Sequence, residues 1–349
     1  DDWLRLVGSE MCIRDRLNAS QYEATTTTEG PLLVIAGAGS GKTRTLTYRV
    51  ARLVEAGVPP SAICLLTFTR KAAQQMLERA TELLDSRCGK VAGGTFHSFG
   101  NTILRKYASH MGLSPGFAIM DRADAEGAIS LLRKEALAGR GQRSFPRKNT
   151  LANIFSRAVN KMTTIGDVVY EDYDHLSSDM EAIVAIFEAY QRYKREHQML
   201  DFDDLLVFLQ QLLKTRADLR DRISSSFQYI MVDEYQDTNK IQAEILYLLT
   251  GAHQNIMVVG DDSQSIYAFR GANFKNIMEF PNMFPGTRVI TLEENYRSVQ
   301  TILNLTNVII DQALEKYSKI DKKLKGSLFI LNYDKTYCHF GHTWLFKYI

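Results

Sequence analysis

The amino-acid sequence predicts an α/β fold: a parallel sheet with helices on both faces, and a helical region inserted into it. Two observations lead to this class. Short apolar runs alternate with stretches of helical periodicity up to about residue 103, which is typical of a parallel sheet. Helical periodicity alone then continues to about residue 213, after which apolar runs return. We therefore expect the inserted region to be all-helical.

The individual elements follow from the same patterns. Either Asn18 or Ser20 is suited to cap a short first helix. Further helices are expected over residues 44–54, 69–79, 123–138, 151–162 and 179–196. Strands are expected wherever a short apolar run occurs, at residues 32–35, 62–68, 91–96, 229–232, 255–259 and 288–292.

The segment from the first strand into the helix at 44–54 predicts a nucleotide-binding site. Between them lies a glycine-rich loop that ends in a lysine and a threonine: Ala36, Gly37, Ala38, Gly39, Ser40, Gly41, Lys42, Thr43 and Arg44. The glycines let backbone N–H groups approach phosphate oxygens, while Lys42 reaches the β- and γ-phosphates and Thr43 holds Mg²⁺. Ala36 stands where the strict pattern has glycine. A glycine-rich turn without a ligand is the alternative.

Two later strand ends extend this prediction to ATP hydrolysis. Asp233 and Glu234 follow the strand at 229–232; Asp233 suits a water-mediated Mg²⁺ contact, and Glu234 suits polarisation of the attacking water. Alone, the pair is more typical of a helix cap. Gln264 follows the strand at 255–259 in a turn that can bring it to the γ-phosphate, with an ordinary polar turn as the alternative.

The composition limits the remaining classes. Hydrophobic residues make up 45% and charged residues 23% of the 349 positions, as in ordinary globular proteins. The net charge of +2 gives no indication of a polyanionic partner. The four cysteines form no CxxC pair, which favours reduced thiols and a cytoplasmic location. No stretch approaches the roughly 20 apolar residues that span a bilayer, so no membrane partner is expected.

The motifs, taken in order, resemble those of the UvrD/Rep/PcrA-type superfamily 1 DNA helicases. The matching stretches are residues 17–21, 36–43, 67–73, 94–98, 232–239, 259–272 and 292–298. Residues 200–206 also look like a signature of that family, at the point where the chain returns from an inserted helical subdomain. The resemblance implies a RecA-like P-loop NTPase sheet, with ATP and Mg²⁺ as cofactors and single-stranded DNA as a partner.

The resemblance also implies roles for single residues. Gln21 would recognise the adenine edge, Tyr296 would stack on the adenine, and Gln264 and Arg297 would contact the γ-phosphate. A second group would bind single-stranded DNA: Phe68, Tyr267 and Phe269 by stacking on bases, with Arg70 and His97 near the strand. Phe269 departs from the tryptophan usual in the family.

The chemistry of these residues agrees with DNA binding. Aromatic side chains beside strand ends, interleaved with Arg70, Lys71 and Arg270, are what single-strand binding without sequence preference requires. For Phe68 and Phe269, an ordinary place in the core at a strand end is the alternative.

The resemblance divides the chain and predicts that it is a fragment. We expect an unassigned leader at 1–16, a RecA-like domain at 17–105 and 201–290, a helical insertion at 106–200, and an incomplete second motor domain at 291–349. In the family the second domain supplies an arginine finger from a late motif, and no such motif follows Arg297. We therefore expect nucleotide binding with slow turnover.

The expected function is that of an ATP-dependent helicase motor, moving 3′–5′ on single-stranded DNA and unwinding duplexes at single/double-strand junctions in repair or replication. The direction rests on the resemblance alone. Two alternatives stay open: a single-strand translocase without unwinding, and a non-catalytic nucleotide-dependent DNA-binding fragment. Protein partners are not predicted.

Overall fold

A six-stranded parallel sheet forms the centre of the computed structural model, which describes residues 16–137, 145–251, 253–261 and 275–304. The strands are β1 (Leu32–Ala36), β2 (Ile63–Thr67), β3 (Ala92–Thr95), β6 (Tyr229–Val232), β7 (Ile256–Gly260) and β8 (Arg288–Leu292). Their order is β3-β2-β6-β7-β1-β8, and every neighbouring pair is parallel. The six predicted strands are confirmed, each with bounds that differ by at most one residue.

Helices cover both faces of this sheet. Successive residues of a strand point to opposite faces, so each strand supplies apolar side chains to a core on either side. Leu32 and Val34 of β1 pack in one core with α1 (Ala19–Thr26), α2 (Lys42–Glu55) and α3 (Arg70–Leu83). Leu33 packs in the core on the other face. That core contains residues of α4 (Phe96–Tyr107), α9 (Phe202–Thr215), α10 (Ala217–Ser224), α11 (Lys240–Thr250) and α12 (Lys275–Met283).

The inserted region has a hydrophobic core of its own. It is built from α5 (Arg122–Ala136), α6 (Lys148–Lys161), α7 (Ile165–Asp172) and α8 (Met180–Glu196). The region is not purely helical, since β4 (Ala118–Ile119) and β5 (Met199–Leu200) form a short parallel pair. β4 precedes the inserted helices and β5 follows them, so the pair connects the two ends of the inserted region. The limits expected for the insertion, residues 106 and 200, remain a prediction. Residue 106 lies inside α4.

Capping groups decide where several helices begin. The Asn18 side chain accepts a hydrogen bond from the Gln21 N–H, so Asn18, rather than Ser20, caps α1. Thr95 and Ser98 form a capping box that starts α4 at Phe96, which the sequence pattern had placed in the strand. Among the described residues, no helix combines the length and the apolar character needed to cross a membrane.

Candidate nucleotide site and adjoining cleft

The loop between β1 and α2 has the backbone geometry of a phosphate cradle. Gly39 and Gly41 adopt φ of 80° and 90°, which side-chain-bearing residues rarely adopt. Ser40 closes the turn, because its hydroxyl donates to the Gly37 carbonyl at 2.7 Å. Helix α2 begins at Lys42 without any side-chain cap. Its first N–H groups and its positive dipole end are therefore available for an anion.

Lys42 meets the end of β6 at this loop, since the carboxyl ends of parallel strands share one edge of the sheet. The Lys42 ammonium lies 3.2 Å from the Glu234 carboxylate. Gln236 donates to the same carboxylate oxygen at 2.7 Å, and its own oxygen accepts from the Asp261 N–H at the end of β7. Gln236 thus links two strand ends. Gln236 lies in the family-like stretch 232–239, but its local sequence gives no sign of this link.

Asp233 is almost fully buried beside this ion pair, at 5% exposure. Its Oδ1 atom has no hydrogen-bond partner, and burial, followed by the charge of Glu234, raises the pKa of Asp233 to about 7. Buried polar atoms without partners are rare, and a carboxylate oxygen is a favoured ligand for Mg²⁺. The described residues contain no cluster of three ligands able to hold a metal alone. Asp233, together with Thr43, which follows Lys42 in α2, therefore fits a cation whose remaining ligands would be phosphates and water.

The opposite side of the loop is covered by two distant segments. Gln21 of α1 is buried, and its amide donates to the Ser40 carbonyl at 2.9 Å. The Tyr296 N–H donates to the Gly39 carbonyl at 2.9 Å, while the Tyr296 ring remains 59% exposed. Asn295 donates to the Ala38 carbonyl at 2.8 Å. The fold thus brings Gln21 and Tyr296 to one phosphate loop.

Two predicted arginines differ in how closely they approach this loop. The Cβ atom of Arg297 lies so near Gly39 that a Cβ added to Gly39 would come within 2.6 Å of it. Arg44 is exposed, donates to the Arg16 carbonyl and lies 5.6 Å from the centre of the Tyr48 ring. The Arg44 side chain thus has partners outside the loop, and its predicted role in nucleotide binding stays a prediction.

A cleft of about 1050 Å³ lies between this sheet edge and the inserted helices. It contains Asp233 and Glu234 at one end and the predicted DNA-binding residues Phe68, Arg70 and His97. The insertion contributes polar and aromatic side chains, among them Arg122, Asn153, Arg157 and Tyr173. Nucleotide-site carboxylates and candidate DNA-binding groups therefore share one cavity.

Residues 17–285 match the family described as the UvrD/REP helicase N-terminal domain. The chain belongs to this family. It is also 39% identical over 307 residues to the ATP-dependent DNA helicase PcrA of Staphylococcus aureus, an alignment covering 87% of this chain and 41% of that protein. The PcrA of Staphylococcus epidermidis is 39% identical over 305 residues, with the same coverage. The chain spans about two fifths of the length of the curated relatives it matches.

Within this UvrD/REP-type domain, the predicted DNA-binding residues differ in exposure. Phe68 is half-buried and lines the cleft, and Arg70 is exposed. Burial lowers the pKa of His97, which favours the neutral form of its ring. The predicted stacking of Phe68 on DNA and its alternative, a place in the core at a strand end, therefore both stay open. Gln264, Tyr267, Phe269 and Arg270 lie outside the described residues, and their predicted roles stay predictions.

The sequence analysis gave no role to Phe202, an aromatic residue of the cleft. Phe202, in the first turn of α9, is 48% exposed, lines the cleft and meets the His97 ring edge-on, with ring centres 6.1 Å apart. Its neighbour Asp203 also lines the cleft; burial, followed by the charge of Asp201, raises the pKa of Asp203 to about 6. The family-like string at 200–206 was the signal that could have identified both residues.

Proposed function

We propose that this domain is the ATP-binding motor part of a DNA helicase. It binds ATP with Mg²⁺, hydrolyses it, and couples hydrolysis to 3′–5′ movement along single-stranded DNA and to unwinding at single/double-strand junctions in cytoplasmic DNA repair or replication. The observation that carries the proposal is the shared cleft: the Asp233 and Glu234 carboxylates and the Phe68, His97 and Phe202 rings line the same cavity. Its similarity to ATP-dependent DNA helicases supports the proposal.

The nucleotide half of the proposal follows from the groups at the loop. The β- and γ-phosphates would take the place of the Glu234 carboxylate as the partner of Lys42. Glu234, released from the ion pair, then becomes available to polarise a water molecule. Thr43 and Asp233 would hold Mg²⁺, which neutralises developing phosphate charge when bound. Arg297 would reach the γ-phosphate, and Gln21 and Tyr296 would contact the adenine.

The DNA half rests on the aromatic and basic groups of the cleft. Phe68 and Phe202 would stack on bases without sequence preference, while Arg70 and Arg122, which line the same cleft, would contact the phosphates. We further propose the division into a RecA-like domain at 17–105 and 201–290, an insertion at 106–200 and the start of a second domain from 291.

Titration with a fluorescent ATP analogue tests the nucleotide half. We expect Lys42→Ala to abolish binding and to leave the fold intact, because Lys42 is the cation that faces the phosphates. Lys90→Ala, an exposed lysine away from the loop, is the matched control and should bind normally. Equal affinity of the wild type and Lys42→Ala would exclude this nucleotide site.

A further inference from the structure

A chain of polar side chains connects the loop after Glu234 to the inserted helices. Asn239 caps α11, since its oxygen accepts from the Gln242 N–H at 2.9 Å. The Asn239 amide then donates to the side-chain oxygen of Asn160 in α6, at 2.5 Å. Asn239 and Asn160 are both more than nine-tenths buried. A residue beside the nucleotide-site loop is therefore directly bonded to the insertion.

Asn160 continues this connection with the other end of its amide. Its nitrogen donates to the Asp203 carboxylate at 3.0 Å and to the Ser156 carbonyl at 2.8 Å. Asp203 directly follows Phe202, whose ring lines the cleft. The side-chain oxygen of Asn160 is thus bonded to the loop through Asn239, and its nitrogen is bonded to Asp203 beside the Phe202 ring of the cleft.

The loop that receives this connection is itself tightly bonded. The Asp237 N–H donates to the Glu234 carbonyl at 2.9 Å, and the Thr238 N–H donates to the Tyr235 carbonyl at 3.1 Å. Asn276 of α12 adds a bond of 2.8 Å to the Thr238 carbonyl. Because these bonds hold the backbone between Glu234 and Asn239, we expect a displacement of Asn239 to move Glu234 as well.

We propose that Asn160 is a positioning residue that couples single-stranded DNA in the cleft to the geometry of the Asp233–Glu234 pair. DNA that stacks on Phe202 shifts the first turn of α9, and Asp203 moves with it. Asn160 transmits this shift to Asn239, because a buried amide with no spare partner resists breaking either bond. The inference rests on the proposed function and adds a route by which DNA and nucleotide influence each other.

The test is a thermodynamic coupling measured on the full 349-residue chain. The affinity for fluorescent oligo-dT is measured with and without a non-hydrolysable ATP analogue plus Mg²⁺, and the ratio defines the coupling factor. We expect the wild type to show a factor of about 5 or more. Asn160→Leu, of similar size, should bring the factor close to 1 while each ligand alone binds within about twofold of wild type.

A donor–acceptor exchange supplies the control for structural damage. Asn160→Asp alone sets a carboxylate against Asp203 and should abolish coupling. Adding Asp203→Asn restores a donor opposite the new carboxylate, and Asn239 keeps its acceptor. Only the bond to the Ser156 carbonyl is lost, while the Ser156 hydroxyl, 3.1 Å away, can donate to the carboxylate, so coupling should return. Simple loss of packing would not be reversed in this way. Thermal unfolding of each variant identifies any that do not fold, and the exchange pair carries the test if Asn160→Leu is among them.

The outcomes separate this inference from the proposed function. A wild-type chain that binds both ligands without coupling overturns the inference alone, and so does an Asn160→Leu variant that keeps the wild-type factor. An exchange variant that binds both ligands but stays uncoupled also overturns it. A wild-type chain that binds neither ligand overturns the proposed function, and the inference falls with it.

Discussion

The nucleotide site and the cleft share one edge of the sheet, yet they are built in different ways. The phosphate loop is a contiguous stretch whose shape depends on backbone, with positive φ at Gly39 and Gly41. The cleft is assembled from side chains that are distant in sequence, from Phe68 to Phe202, and from two separate cores. We therefore expect a single substitution in the phosphate loop to remove most of the ATP affinity. In the cleft, each substitution should remove only part of the affinity for DNA.

The largest expected effect tests whether the Glu234 carboxylate acts in chemistry rather than in binding. Glu234→Gln should slow ATP hydrolysis by about 10²–10⁴-fold, because the amide cannot accept a proton from water. ATP affinity should be kept or slightly raised, since Lys42 loses a charged competitor for the phosphates. Single-turnover hydrolysis and nucleotide titration measure the two effects. Glu181→Gln, an exposed carboxylate on α8, should change neither.

Two glycines with the same backbone conformation, Gly41 in the phosphate loop and Gly57 outside it, allow the loop to be compared with ordinary backbone. Gly41 and Gly57 both adopt φ of 90°, so an alanine costs about 1–2 kcal/mol of backbone strain at either position. A Cβ at Gly41 would lie 2.5 Å from the Gln21 amide, whereas nothing lies within 4 Å at Gly57. Gly41→Ala should weaken ATP binding by about 100-fold, a loss of about 2.7 kcal/mol.

Gly57→Ala is the matched control for that substitution. It should lower the free energy of unfolding in urea by about 1–2 kcal/mol and leave ATP affinity unchanged. If both alanine variants bind ATP alike, the phosphate loop does not depend on close approach at Gly41, and the loop is no more sensitive to one substitution than ordinary backbone.

The same difference explains what the sequence could predict. The four inner strands β2, β6, β7 and β1 were predictable because strands buried on both faces are continuous apolar runs. The edge strands β3 and β8 are more exposed. The phosphate loop was predictable because glycine, lysine and threonine occur at fixed spacing within one segment. Gln21, Tyr296 and Arg297 were placed near the loop only through the family resemblance.

The rest could not be predicted, since it depends on tertiary contacts. The contact of Asn160 with Asn239 joins an inserted helix to a loop, and neither residue is unusual in its local sequence. The pair β4–β5 has two residues in each strand, which is too short for any periodicity. Phe202 looks like an ordinary apolar residue at the start of a helix until its 48% exposure is known.

Intermediate effects are expected in the cleft, where aromatic contacts are distributed. Phe68→Ala and Phe202→Ala should each weaken binding of single-stranded DNA by about 1–3 kcal/mol, as expected for the loss of one stacked base. Affinity should also fall as salt rises, because phosphate contacts release counterions. Tyr170→Ala, which removes a 75% exposed ring on α7 outside the cleft lining, should bind like wild type. Wild-type affinity in both phenylalanine variants would show that these rings do not contact DNA.

The smallest expected effect concerns the Asp203 carboxylate in the cleft wall, whose burial lowers the free energy of unfolding when the carboxylate is ionised. The folded-state pKa of Asp203 is raised to about 6, so between pH 4 and 6 the folded protein binds more protons than the unfolded chain. Stability associated with Asp203 therefore falls as pH rises through this window. Asp203→Asn keeps an oxygen for Asn160 and removes the charge beside Asp201. It should raise the free energy of unfolding by about 1–2 kcal/mol at pH 8, with the gain vanishing near pH 4.

The exposed Asp218 provides the opposite case for that measurement. Its pKa is lowered by the hydrogen bond with Arg216, so its ionised form is the one favoured by folding. Asp218→Asn should slightly lower stability by the same amount at pH 6 and pH 8, since both lie above its unfolded pKa, and the loss should shrink only as pH falls below that pKa. Urea unfolding of both variants at pH 4, 6 and 8 separates the two signs. A stability gain for Asp203→Asn that is equal at all three pH values would show that packing, rather than a buried charge, limits stability at this wall of the cleft.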